Sequence, residues 1–148
     1  NGLEKLEPVS GRFHIIEKND MTIIDDCYNA NPVSMKASLD VLKDGAGRRV
    51  AVLGDMGELG TNEVQLHEEV GEHAGKCGID VLICAGPLCR HMAEKAASVN
   101  PSLKVIYEQD RDSLMEHLQD YVQPGDTILV KASHFMKFEE AVEKLQNM

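Results

Sequence analysis

The chain has 148 residues, of which 43% are hydrophobic and 27% charged. That supplies enough apolar material for one core-bearing globular domain and too much for a disordered chain. Fifteen basic against 25 acidic side chains leave a formal charge of −10, which argues against a broad nucleic-acid or anionic-membrane surface because both need surplus Lys and Arg; no apolar run is long enough to span a bilayer.

The opening NGLEKLEP has neither the basic nor the apolar segment of a signal peptide. Residues 1–10 read as a linker inside a longer polypeptide, and residues 11–148 as one domain. Arg12 to Glu17 and Met21 to Asp25 then read as two strands joined by the polar turn Lys18, Asn19, Asp20, which suits a hairpin. Beyond it a β-then-α rhythm sets in. VAVLG (50–54), VLICAG (81–86), LKVIY (103–107) and DTILVK (126–131) are short, nearly continuous apolar runs, the pattern of parallel strands covered on both faces.

Amphipathic stretches separate these runs. Met35, Leu39 and Leu42 form one stripe; Leu66, Val70, Ala74 and Cys77 a second; Leu88, Met92, Ala96 and Val99 a third. Leu114, Leu118 and Val122 form a fourth, and Phe138, Val142 and Leu145 the last. Asn31-Pro32 and Gly86-Pro87 punctuate helix starts, while Gly78 and Pro124-Gly125 mark breaks. The expected fold is α/β: a doubly wound, mostly parallel, Rossmann-like sheet with one antiparallel strand from the N-terminal hairpin and helices on both faces. Cys27, Cys77, Cys84 and Cys89 show no C-x-x-C spacing and read as free thiols of a cytoplasmic protein, with no metal site expected.

In such a sheet ligands bind beyond the carboxyl ends of the strands. Four polar or glycine-rich loops fall there: DDCYNANP (25–32), LGDMGELG (53–60), CAGPL (84–88) and VKASHF (130–135). They are expected to share one rim. In the first loop, Asp25 or Asp26 at a strand end suits ribose hydroxyls, and an Asn suits the adenine edge. Asn31 alone reads more readily as a helix N-cap. The second loop lacks the Lys-Ser/Thr ending of a Walker loop and does not match the dinucleotide fingerprint. Its Asp55 and Glu58 suit a substrate ammonium or a metal-bound water, or else the loop is a solvated turn with Gly57 and Gly60 at positive φ. Lys131 and Ser133 could hold a carboxylate or phosphate, with a snorkelling Lys131 as the bland reading. His67 and His134 carry no catalytic expectation, since six scattered histidines are mostly surface residues. No catalytic residue is expected in the domain.

At these motifs the chain resembles the C-terminal domain of the Mur ligases. DDCYNANPVSM (25–35) and VLGDMGELG (52–60) carry the likeness, supported by Gly11-Arg12, by His67 with Val70-Gly71, and by PGD-x-x-L-V-K at 124–131. The branch it resembles adds D-alanyl-D-alanine to a UDP-sugar tripeptide during peptidoglycan synthesis, using ATP through an acyl phosphate. The resemblance implies N-terminal and central domains as intramolecular partners, the central one holding Mg2+ and the ATP phosphates. It places Asp25 or Asp26 at the ribose and Tyr28, Asn29 or Asn31 near adenine. Asp55, Lys131 and Ser133 fall at the dipeptide end. One departure is Lys131-Ala132-Ser133-His134, where the family often reads K-G-S-R; losing a guanidinium removes a bidentate carboxylate clamp. Two rivals remain: a non-catalytic, receiver-like nucleotide-binding module, and a folylpolyglutamate synthase-like relative. The first lacks an aspartate at the expected central strand end, and the second usually carries a His in the 25–32 loop.

Overall fold

The structure, a computed structural model, describes residues 14–18, 20–26, 30–57, 59–133 and 136–147. Its elements in chain order are β1 (His14–Lys18), β2 (Met21–Asp25), α1 (Pro32–Leu42), β3 (Arg49–Gly54), α2 (Glu63–Lys76) and β4 (Val81–Ala85), followed by α3 (Cys89–Val99), β5 (Lys104–Glu108), α4 (Arg111–Tyr121), β6 (Thr127–Lys131) and α5 (Glu139–Gln146). The strands form one six-stranded sheet in the order β1-β2-β6-β3-β4-β5. Only the β1–β2 pair is antiparallel, with His14 opposite Asp25 and Lys18 opposite Met21. The expected α/β sheet with its antiparallel N-terminal strand is therefore the observed one. Among the described residues no helix is long and apolar enough to cross a membrane.

Alternation along each strand feeds two cores. On one face Met35, Leu39, Leu42, Val70, Ala74, Met92 and Ala96 of α1, α2 and α3 pack on Ile24, Ala51, Leu53, Leu82 and Leu129. On the other, Leu114, Leu118, Phe138, Val142 and Leu145 from α4, α5 and the turn before α5 pack on Ile23, Val50, Val52, Ile83 and Val130. Three of the five stripes lie as the periodicity predicts. The α2 stripe is rotated: His67, Val70, Gly71, Ala74 and Gly75 are buried, whereas Leu66 and Cys77 are half-buried. In α3 the buried set is Cys89, Met92, Ala93 and Ala96, and Leu88 and Val99 stand half-exposed. The cause is close helix packing: a Cβ on Gly71 would sit 2.2 Å from the Met92 carbonyl oxygen, so α2 presents its glycines, not Leu66, to α3.

Helix α1 starts as expected. Pro32 is its first residue and Asn31 its N-cap, with Asn31 Oδ1 accepting from the Ser34 N–H at 2.8 Å and Ser34 Oγ accepting from the Asn31 N–H at 3.1 Å. Helix α3 starts two residues beyond Pro87, and its N-cap Leu88 has no capping side chain. Its cap comes from another strand.

Candidate functional site

The sheet order sets the carboxyl ends of β2, β6, β3 and β4 side by side, so the four loops read from the sequence meet on one rim. The tightest junction lies between β2 and β6. The Asp26 N–H donates to the Val130 carbonyl at 3.0 Å, continuing the ladder one residue past β2. Lys131 Nζ then donates to Asp26 Oδ2 at 2.7 Å, and Ser38 Oγ from α1 donates to the same oxygen at 2.7 Å. The Lys131 and Asp26 side chains are only 3% and 8% exposed. Lys131 therefore does not snorkel; its ammonium is buried against a carboxylate 105 positions away in sequence.

Between β6 and β3 a second junction forms. Ser133 Oγ accepts from the Gly57 N–H at 2.7 Å, and its own N–H donates to the Asp55 carbonyl at 3.2 Å. Ser133 Oγ also lies 3.5 Å from the Ala30 carbonyl, at the limit of a hydrogen bond. One serine thus touches three of the four loops. Beneath it, a Cβ on Gly54 would meet Phe138 Cζ at 2.7 Å and Ala132 Cβ at 2.8 Å. The fully buried Ala132 fits because Gly54 opposite it carries no side chain.

Asp55 ends differently from either expectation. It is 4% exposed, and its carboxylate accepts from the backbone N–H groups of Cys89 at 2.8 Å and Leu88 at 3.3 Å. It caps the amino end of α3, where a negative charge is favoured. The start of the loop is not a solvated turn, since Met56 is also buried, while Gly60, with φ of 75°, does lie in the left-handed region. Gly86, with φ of 116°, supplies the room, because a Cβ there would sit 2.4 Å from Asp55 Oδ1.

His67 is wholly buried beneath this loop, contrary to the surface expectation. Its Nε2 accepts from the Met56 N–H at 3.0 Å, and its Nδ1 faces the Glu63 carbonyl at 2.7 Å. An amide N–H only donates and a carbonyl only accepts, so the proton sits on Nδ1. Asp55, His67 and Cys89 bring their ligand atoms within 4.8 Å of one another, yet the trio does not fit a metal ion. Both imidazole nitrogens are taken by backbone partners, and the carboxylate is turned to the N–H groups of Leu88 and Cys89. Burial above all, then the neighbouring Cys84 thiol and the Asp55 carboxylate, push the Cys89 thiol well up, keeping it protonated.

Asp25 is half-buried at the last position of β2. By alternation it faces away from α1, so of the two adjacent acids only Asp26 meets Ser38. Tyr28, Asn29, Cys27, Glu58 and His134 lie outside the described residues. A cavity of about 600 Å3 opens further along the same edge, at the ends of β4 and β5, lined by Pro87, Arg90, Tyr107, Glu108, Gln109 and Ser113. Tyr107 there donates from its hydroxyl to the Gly86 carbonyl at 3.0 Å. Ser38, the burial of His67 and this cavity escaped the sequence reading. His67 alone left a signal, since it falls at helical spacing with Val70 and Ala74.

Residues 11–134 match the family described as Mur ligase, glutamate ligase domain. The chain belongs to the Mur ligase family. It is 37% identical over 148 residues to the UDP-N-acetylmuramoyl-tripeptide–D-alanyl-D-alanine ligase of Escherichia coli, covering 98% of this chain and 31% of that protein. The Bacillus subtilis ligase of the same description is 35% identical over 97% of this chain and 32% of its own length. Among solved structures, MurF from Acinetobacter baumannii superposes with a TM-score of 0.83 at 31% identity, covering 96% of this chain and 32% of that one. MurF from Thermotoga maritima, solved in complex with ADP, gives 0.76 at 29%, covering 95% and 31%. This Mur ligase domain is thus of the MurF type, and it spans about a third of the length of the curated relatives it matches. The receiver-like alternative falls with that membership, and Asp55, the first acid after the central strand, is sealed under α3.

Proposed function

We propose that the chain is the C-terminal domain of a cytoplasmic ATP-dependent ligase that joins D-alanyl-D-alanine to UDP-N-acetylmuramoyl-tripeptide in peptidoglycan synthesis. The observation that carries this reading is the meeting of the four loops on one rim, with Asp26 fixed between β2, β6 and α1. ATP, when bound, supplies the phosphoryl group that activates the tripeptide carboxylate as an acyl phosphate, which the dipeptide amine then attacks.

This chain's own part is to bind and orient. Asp26 accepts from ribose hydroxyls, its charge made bearable in a buried position by Lys131. Asp25, Tyr28, Asn29 and Asn31 lie on the same loop and complete the adenine and ribose side. Asn31 spends Oδ1 on its cap, which leaves its amide NH2 to donate to a base. The dipeptide subsite falls on the β3–β6 side, with Ser133 at its edge. Asp55 shapes that side from below, and Lys131, also expected there, reaches across to Asp26, so that both polar groups are engaged within the domain. No Walker loop is present in the sequence, so the ATP phosphates and Mg2+ are assigned to a preceding central domain, and the isolated domain is inactive.

Phosphate release by the isolated domain with ATP, Mg2+ and both substrates tests this reading. The expected result is no turnover, together with ADP-dependent amide shifts confined to the rim around Asp26 and Asn31 in a 15N spectrum. Robust turnover, or shifts at the opposite ends of the strands, would overturn it.

A further inference from the structure

Lys131 sits at the end of β6 where a cation could meet an anionic substrate directly, but its ammonium is spent inside the domain. It lies 2.7 Å from Asp26 Oδ2 with almost no exposure. Ser38, nearly two turns into α1, donates to the same oxygen at 2.7 Å. Both described side-chain donors therefore converge on Oδ2, and among the described residues none reaches Oδ1. The backbone of Asp26 is fixed as well, through its N–H to the Val130 carbonyl at 3.0 Å.

Burying such a pair costs desolvation that its attraction barely offsets, and apolar residues of similar volume would hold two strand ends at least as well. The arrangement does something apolar packing cannot. It sets a carboxylate against an ammonium next to the core, locks its rotamer through one oxygen and leaves the other to accept.

We propose that Ser38 and Lys131 are positioning residues for nucleotide recognition, acting through Asp26, and that Lys131 serves the ribose end of the rim. This rests on the reading of Asp26 as the ribose contact. Ser38 sets the side-chain rotation of Asp26 from α1, and Lys131 pins the same oxygen from β6. Neither touches the nucleotide. A 2′,3′-dideoxy nucleotide lacks the hydroxyls that Asp26 would accept from, so it reports on the alignment directly.

The test compares KM and kcat for ATP and for 2′,3′-dideoxy-ATP in the full-length polypeptide carrying this domain. Wild type is expected to favour ATP in KM by about tenfold, the usual scale for a hydrogen bond to a charged group. Ser38→Ala is expected to shrink that preference to about threefold by raising KM for ATP alone, with kcat unmoved. Ser38→Thr, which keeps the hydroxyl, restores it. Lys131→Met goes further in the same direction, but it strands a buried carboxylate and can lose the fold, so Ser38→Ala is the deciding variant. If wild type discriminates and Ser38→Ala raises both KM values equally, the positioning role is overturned while the ribose contact stands. If wild type does not discriminate at all, the ribose contact fails and the positioning role goes with it.

Discussion

Arg48 grips Asp126 through two parallel hydrogen bonds, Nε to Oδ1 at 3.0 Å and Nη2 to Oδ2 at 2.8 Å. The pair lies just before β3 and β6, at the end of the sheet away from the rim. The same Nη2 donates to the Tyr121 carbonyl at 2.8 Å, and the Gln123 N–H donates to Asp126 Oδ2 at 2.9 Å. The hydrogen bond to Asp126 outweighs burial and holds the Arg48 guanidinium above its usual value. Asp126 is almost fully buried while Arg48 keeps a quarter of its side chain in solvent. Arg48→Met is expected to cost about 2–4 kcal/mol, below the full penalty for a wholly buried pair because water reaches the arginine. Urea unfolding measures it, and a loss under about 0.5 kcal/mol would show that the pair is ornamental.

Gly71 and Gly75 offer a graded test of the α2–α3 crossing. Replacing a mid-helix glycine by alanine gains about 1 kcal/mol of helix propensity. At Gly71 the new Cβ would meet the Met92 carbonyl oxygen at 2.2 Å, a backbone atom that cannot swing aside, whereas at Gly75 the nearest atoms, Ala96 O and Val99 Cγ1, stand at 3.1 Å. Gly71→Ala is therefore expected to destabilise by about 2 kcal/mol or more, sterics overriding propensity. Gly75→Ala should fall near zero. Midpoints of urea unfolding for the two variants decide between them, and the order should not reverse.

Tyr121 carries the clearest pH dependence. Its hydroxyl donates to Glu108 Oε2, and that bond, helped by burial, pushes the phenol up to about 12 from an ordinary value near 10. Because the folded value is the raised one, the native state binds more protons than the unfolded chain between roughly pH 10 and 12. The stabilisation is complete below about pH 10 and is lost as pH rises through 12. Stability should fall with pH across that window in the wild type, and the slope should be smaller in Tyr121→Phe. Equal slopes in both proteins would remove Tyr121 as the cause.

Asn31 has two separable roles. As the cap of α1 its side-chain oxygen is replaceable by serine, while alanine should cost about 1 kcal/mol. If its amide also donates to the base, Asn31→Ser keeps thermal stability and still weakens ADP binding. Calorimetry of both variants with ADP separates cap from contact: equal affinity in wild type and Asn31→Ser would leave only the cap.

Asp55 shows how far the sequence could be read. Among the described residues each β-strand and α-helix was legible from its periodicity, though not the faces that α2 and α3 bury, and the shared rim followed from the rule that parallel strands end together. What Asp55 does was not. Its partners are the N–H groups of Leu88 and Cys89, more than thirty residues on, and no local pattern announces a helix capped from a neighbouring strand. Lys131 and Asp26 were both legible as strand-end polar residues, yet one was assigned to the dipeptide and the other to ribose. Their ion pair depends on β6 lying beside β2, an adjacency that pattern alone does not give. His67 was misread because a polar side chain in a buried stripe looks like a break in the stripe until its two backbone partners are seen.

Strand β6 has a consequence for how the chain reaches this state. It lies between β2 and β3, and within the sheet it alone joins the β1–β2 hairpin to the β3-β4-β5 block. A nascent chain emerging from the ribosome therefore holds two unconnected pieces with open edges until residue 131 has been synthesised. Cooperative folding of the domain waits for β6, with the long loop closures that slow such topologies. Transcripts truncated before that point should yield proteolysis-prone, aggregating products and not a smaller stable unit.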